Sequence, residues 1–243
     1  MIVAVPTTYA GSEATNVWGL TEAAKKTTGV DPRVLPVAIV YDATLTLSLP
    51  VALSVASGLN ALAHAIDGMW APRAEPINAA LGAEGIRGLA RGLPLVVADP
   101  RGLAGREQTL YGAYLCGVAF ASAGSGLHHK ICHTLGGTFE MPHAETHAVV
   151  LPHVLALNAP YAPDAARRIA DAFGAGSAEE GLARLRSALS APTALRDFGL
   201  READVPVAAA AILPLVPASN PAPVTLDTLT ALLHAAWEGS EPV

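Results

Sequence analysis

The sequence predicts a mainly α-helical protein led in by a short β-containing segment, and three observations predict it. Hydrophobic residues make up 51% of the 243-residue chain while aromatics make up only 5%. With so much alanine, the small side chains suit close packing of helix on helix. Short β-rich runs are confined to the first 41 residues, and beyond Pro50 the apolar residues recur with the helical period. This change of character divides the chain into residues 1–50 and an α-helical body, residues 51–243. Charged residues are scarce at 15% and the net charge is −6, which argues against a nucleic-acid surface. Apolar stretches are interrupted by His, Asn, Asp or Gly before they reach membrane-spanning length. The N-terminus carries no basic n-region. Cys116 and Cys132 both lie in apolar helical patterns, as buried free thiols of a reducing cytosol do. The expectation is a cytoplasmic protein with no membrane and no nucleic-acid partner.

In order, residues 1–5 form a β-rich run ending at Pro6 and read as a buried strand. Residues 7–13 follow as a polar turn whose hydroxyls and glycine could bond phosphate or ribose; an ordinary strand-to-loop cap is the plainer reading. Residues 17–20 are a further apolar run, residues 25–36 a loop or hairpin tip, and residues 37–41 the next strand. Helices are expected over residues 51–71 and 76–91, the second starting at a proline and ended by Gly92 and Pro94. The helix over residues 105–123 is apolar all round, hence central. Gly124-Ser-Gly126 separates it from a histidine-bearing helix that Gly136-Gly137 stops. Residues 147–157 form another apolar segment. Residues 163–173, 178–189 and 194–198 read as amphipathic helices, with one more over 207–213. Thr225 caps a last helix over 226–237.

Chemistry concentrates in one stretch. Of eight histidines, four fall between residues 127 and 143: His128, His129, His133 and His143. His129 and His133 are four apart and share a helix face, and Pro142 sets the approach to His143. His128 points about 100° away from His129 and cannot serve the same point directly. A similar spacing lies upstream in Asn60-Ala-Leu-Ala-His64. If His64, His129 and His143 converge, they supply three imidazoles for zinc or iron, and a carboxylate is the natural fourth ligand. The residue one turn before His64 is instead Asn60, neutral and a poor ligand. The plain alternative is a set of hydrogen-bonded core histidines, although burying three imidazoles without purpose is costly. Asp67 reads equally as support for His64 and as a helix-surface charge. His147, His153 and His234 read as structural.

Together these motifs resemble the iron-containing (group III) alcohol dehydrogenase family, and within it the maleylacetate reductases. The family has a helix histidine, a second one turn later, a third ten residues further on, and then Leu-Pro-His. His129, His133, His143 and Leu151-Pro152-His153 are similar to that pattern. The family motif Asp-x-x-x-His-Ala is Asn60-Ala-Leu-Ala-His64-Ala65 here. The asparagine resembles the maleylacetate reductase branch, whose members often work without added metal. Pro6-Thr-Thr-Tyr-Ala-Gly-Ser-Glu13 and residues 25–36 are similar to that branch too.

The resemblance implies the all-helical C-terminal domain of this family over residues 51–243, with residues 1–50 a β-containing remnant of the dinucleotide-binding domain. The family's glycine-rich cofactor turn precedes the Pro-Thr-Thr strand at which this sequence starts, so a truncated or split form is expected. The implied reaction is reduction of the maleylacetate double bond to 3-oxoadipate by NADH or NADPH, in bacterial breakdown of aromatic compounds. The implied substrate is maleylacetate or a similar dicarboxylate. His133 and His129 are then the catalytic candidates, His133 lying near nicotinamide and substrate. His64, His129 and His143 fall on the positions that hold iron or zinc, with Asn60 at a weakened fourth. The metal is therefore expected to be dispensable, with partly protonated imidazoles holding the anionic substrate in its place. Thr7 and Thr8 fall on cofactor contacts and Lys26 on a cofactor or carboxylate contact, and a homodimer or a complementing nucleotide-binding partner is expected. Asn220-Pro221-Ala222 stands where the family has Asn-Pro-Arg. Two rivals remain: a metal-dependent alcohol dehydrogenase reducing a carbonyl, which Asn60 disfavours, and a non-redox degenerate domain or a subunit needing a separate nucleotide-binding partner.

Overall fold

The computed structural model describes residues 1–22 and 25–242, with the side chains of residues 21, 22 and 25–27 outside that description. Its centre is α1, Val51–Gly68, in which every residue from Ser54 to Gly68 is buried. Helix α1 contacts α2 (Pro76–Ala98), α3 (Leu103–Ala123), α4 (Leu127–Thr138) and α5 (His143–Asn158). The sequence had pointed to the helix over 105–123 as central. That helix, α3, instead exposes Tyr111 and Tyr114 on one side.

Helix α2 starts with Pro76 in its first turn and a reciprocal cap between Glu75 and Asn78. It does not stop at Gly92 and Pro94 but runs on to Ala98. The glycines serve another purpose. A Cβ at Gly88 would stand 2.8 Å from the Gly112 Cα of α3, and one at Gly92 would strike Thr109. They let α2 and α3 approach backbone to backbone, and that packing outweighs the hydrogen bond lost at Pro94.

The remaining helices are α6 (Pro163–Phe173), α7 (Ala178–Ala188), α8 (Val205–Ile212) and α9 (Leu226–Glu238). The Thr225 side chain accepts from Thr228 N at the start of α9. Residues 195–198 form a 3-10 turn, not an α-helix, closed by Gly199 at φ 104°. Apolar side chains fall into two clusters. One joins α1, α2, α3, α6 and α7; the other joins α4, α8 and α9. Helix α5 faces both, with Leu151 and Leu155 in the first and Val150 and Val154 in the second. The end of α5 is latched by Asn158, which exchanges side-chain hydrogen bonds of 3.1 and 2.9 Å with Asn220. Ala222 is buried within that latch, its N–H donating to Asn158 Oδ1 at 3.4 Å.

The β part is small. Strands β2 (Val17–Glu22) and β3 (Lys25–Val30) pair antiparallel, with Trp18 opposite Gly29, and β3 lies against α4. The expected loop over 25–36 is thus half strand, as its β-branched Thr27, Thr28 and Val30 favour. Strands β1 (Val3–Ala4) and β4 (Ala38–Ile39) pair in parallel. Residues 1–5 are not the buried strand expected: Ile2, Val3 and Val5, with Val37 and Val40 beside them, are exposed. Arg106, fully buried on α3, ties this segment down by donating to Tyr9 Oη at 2.9 Å and to the Thr46 carbonyl. Among the described residues no single helix is long and apolar enough to cross a membrane.

Candidate active site

The histidines gather where α1, α4 and α5 meet at the seam between the two clusters. Helix α3 ends at Gly124, whose φ of 90° lets the chain reverse. Helix α4 then starts with its first turn directly over α1. There the Gly126 N–H donates to Asp67 Oδ2 at 2.7 Å, and His129 Nδ1 bonds the same oxygen at 2.7 Å. A Cβ on Gly126 would collide with this carboxylate, which is why a glycine occupies the position. Asp67 is thus no surface charge. It is 1% exposed and sits at the positive end of α4. Burial pushes its carboxyl above the usual range, and the backbone N–H groups of Gly126, His129 and His128 pull it back.

A carboxylate can only accept, so the neutral His129 ring donates from Nδ1 and leaves the Nε2 lone pair free to act as a base or ligand. That Nε2 is buried with no partner among the described residues. His64 stacks on Phe120 with ring centroids 4.6 Å apart, and on His129 at 5.0 Å. His129 and His133 are 6.0 Å apart, and His133 and His143 6.4 Å. His64, His129, His133 and His143 all line one cavity of about 150 Å³, and Phe120 with the hairpin residues Val17, Trp18 and Thr28 forms part of its wall. His133 is half-buried, and His143, the first residue of α5, is exposed. Val17, Thr28, Phe120 and His133 also line a second pocket of about 580 Å³, so the two spaces adjoin through His133.

Burial, followed by repulsion from neighbouring rings, pushes His64 and His129 well below the ordinary imidazole value. Both are neutral near pH 7. Burial thus disfavours the protonated form expected at His64 and His129.

His128 and His147, which the sequence left aside, form the layer behind. His128 Nε2 and His147 Nδ1 are 2.9 Å apart, and Cys132 Sγ lies 3.6 Å from His128 Nε2. The three donors fall within 4.8 Å of one another and bond among themselves. The His147 ring packs 4.4 Å from His143 and 5.1 Å from His129, fixing both from behind. The i, i+4 pair His143–His147 on α5 was the available signal. It was hidden because the apolar segment expected over residues 147–157 is part of a helix that begins at His143.

Of the other candidates, Asn60 is buried one turn before His64, with Oδ1 unpartnered among the described residues. Thr7 is exposed and Thr8 half-buried, and neither lines the histidine cavity. The Lys26 backbone lies in β3 opposite Thr21; its side chain is outside the described residues. The unpartnered His129 Nε2, backed by Asp67, suits a cation ligand, and His64 and His143 border the same space. The neutral Asn60 adds no charge to offset such an ion.

Residues 54–237 match the model of the Fe-containing alcohol dehydrogenase family, C-terminal. A maleylacetate reductase from Sphingobium indicum is 49% identical over 239 residues, covering 98% of this chain and 68% of the relative. The crystal structure of an iron-containing alcohol dehydrogenase from Corynebacterium glutamicum is 63% identical with a TM-score of 0.97, over 99% of this chain and 67% of that one. The maleylacetate reductase of Rhizobium sp. strain MTP-10005 is 43% identical with a TM-score of 0.92, over 99% of this chain and 68% of that one.

Proposed function

The chain belongs to the iron-containing alcohol dehydrogenase family, and from that membership we propose that it reduces the carbon–carbon double bond of maleylacetate to give 3-oxoadipate. The observation that carries the proposal is the convergence of His64, His129, His133 and His143 on one cavity that opens beside a larger pocket. The relatives that share this chain's length of sequence include maleylacetate reductases.

The double bond is conjugated to a ketone. Hydride addition at the carbon bearing the carboxylate leaves an enolate, and a proton must then reach the carbon next to the ketone. NADH or NADPH, when bound, supplies the hydride. His133, at the junction of the two spaces, orients the substrate and delivers that proton. His129 is held in one orientation by Asp67 and fixes the side of the cavity against which the ketone lies. His64, His129 and His143 would hold a divalent ion that polarises the ketone oxygen, with Asn60 as the weak fourth position. Thr7, Thr8 and Lys26 are the proposed cofactor contacts. A second reading, a carbonyl-reducing alcohol dehydrogenase, draws on the 63% identity to the Corynebacterium glutamicum protein; the neutral Asn60 speaks against it.

The test is consumption of reduced nicotinamide by the purified chain with maleylacetate and, separately, with simple aldehydes. The proposal expects turnover with maleylacetate and 3-oxoadipate as product. Turnover with aldehydes alone would select the second reading, and none with either would remove both.

A further inference from the structure

The pocket adjoining the histidine cavity has a charge character that the rest of the chain does not share. The chain carries 21 acidic residues against 15 lysines and arginines. Yet among the described residues the charged ones lining this pocket are Arg73 and Lys130, with no carboxylate beside them. Arg73 spends its Nε and Nη2 on the carbonyls of Ser122 and Ala121 at 2.9 and 3.3 Å, which are neutral acceptors that leave its charge uncompensated. Lys130 forms no ion pair with any described residue. It is half-buried on α4, three residues before His133, so the two side chains share a helix face. Both also line the pocket.

We propose that Lys130, with Arg73 lining the same pocket, is the carboxylate-binding element of the site and confines it to substrates with an anionic group close to the reacting carbons. This rests on the reading of the cavity as a reductase site. A cation here fixes one end of a dicarboxylate while His133, one turn along, faces its interior. A lysine suits the task as a compact point charge that needs no planar partner.

The experiment measures binding, so it does not depend on turnover. Adipate, a saturated six-carbon dicarboxylate, is titrated into the full chain by calorimetry. Dimethyl adipate and inorganic phosphate serve as controls, and wild type is compared with Lys130→Met and Lys130→Arg. The expected result is adipate binding that Lys130→Met weakens by about 10- to 100-fold and that Lys130→Arg largely restores. Added salt should weaken it, and the uncharged diester should bind less well than adipate to wild type. Equal adipate affinity in wild type and Lys130→Met would overturn the proposal. So would no adipate binding by wild type at millimolar concentration, or loss of phosphate binding alone, which would make Lys130 a phosphate contact. If adipate binds as expected but maleylacetate is not reduced, the reductase reading fails while the anion subsite stands.

Discussion

Asp67→Asn is the substitution that interrogates the site most deeply, because one carboxylate oxygen holds both the first turn of α4 and the ring of His129. Its bonds to Gly126 N and His129 Nδ1 are each 2.7 Å, and the side chain is 1% exposed. Hydrogen bonds to a charged group contribute about 1.5–3 kcal/mol apiece. Asparagine can set its carbonyl oxygen where Oδ2 sits, so both bonds lose their charge, while its amide NH2 replaces Oδ1, which has no partner among the described residues, and a buried donor is left unpaired. Relief of the carboxylate's burial offsets part of this, and the expected net loss is about 2–4 kcal/mol. In a chain of this length that lowers Tm by about 5–15 °C. The weaker, uncharged hold on the His129 ring should reduce kcat/KM by about 10- to 100-fold. Gly126→Ala provides an independent route to the same carboxylate, since the added Cβ would collide with it. Thermal unfolding and steady-state kinetics of both single variants and the double variant form a cycle. The two effects should fall short of additive by about 0.5–3 kcal/mol. Additive effects, or an Asp67→Asn protein with unchanged Tm and kcat/KM, would refute the reasoning that Asp67 holds α4 and His129 together.

Other expectations follow from the same geometry. His133→Ala should lower kcat by about 100- to 10,000-fold with little change in Tm, because the ring is only half-buried; an unaltered kcat would remove it from the chemistry. Asn60→Asp should raise the bound divalent metal per chain by elemental analysis, since it places an anion one turn before His64; equal metal content in the two proteins would end the view of Asn60 as a weakened ligand position. His153 is 3% exposed, and burial followed by the nearby Arg186 pushes it down to about 4 from the ordinary 6.5. The unfolded chain therefore takes up this proton first. The stability the residue contributes is present above pH 6.5 and fades as pH falls toward 4, by about 3 kcal/mol in total. His153→Gln should flatten that part of the stability–pH curve, and an unchanged curve would contradict it.

The helical body was legible because its signals are local. Proline at Pro76 and Pro163, the threonine cap at Thr225 and the period of the apolar residues each act within one or two turns. The errors came where tertiary packing overrides a local rule. Gly92 and Gly136-Gly137 look like stops, yet helices α2 and α4 run through them, and at Gly92 the missing side chain is what admits α3. The four cavity histidines could be picked out from their i, i+4 spacing and their order. Asp67 and the His128–His147 pair could not be, because their roles depend on α1, α4 and α5 crossing at one seam. Lys130 carries no signal of its own in the sequence; what marks it out is a pocket wall that holds no carboxylate among the described residues.

Isotope tracing of the reduction itself tests the central claim most directly. The chain is incubated with maleylacetate and reduced nicotinamide deuterated at the transferring carbon, and the product is read by NMR. A double-bond reductase puts deuterium on the carbon bearing the carboxylate and a solvent proton on the carbon next to the ketone, with the ketone intact. Deuterium on a new carbinol carbon, or none transferred at all, would contradict the assignment of this site to reduction of the maleylacetate double bond.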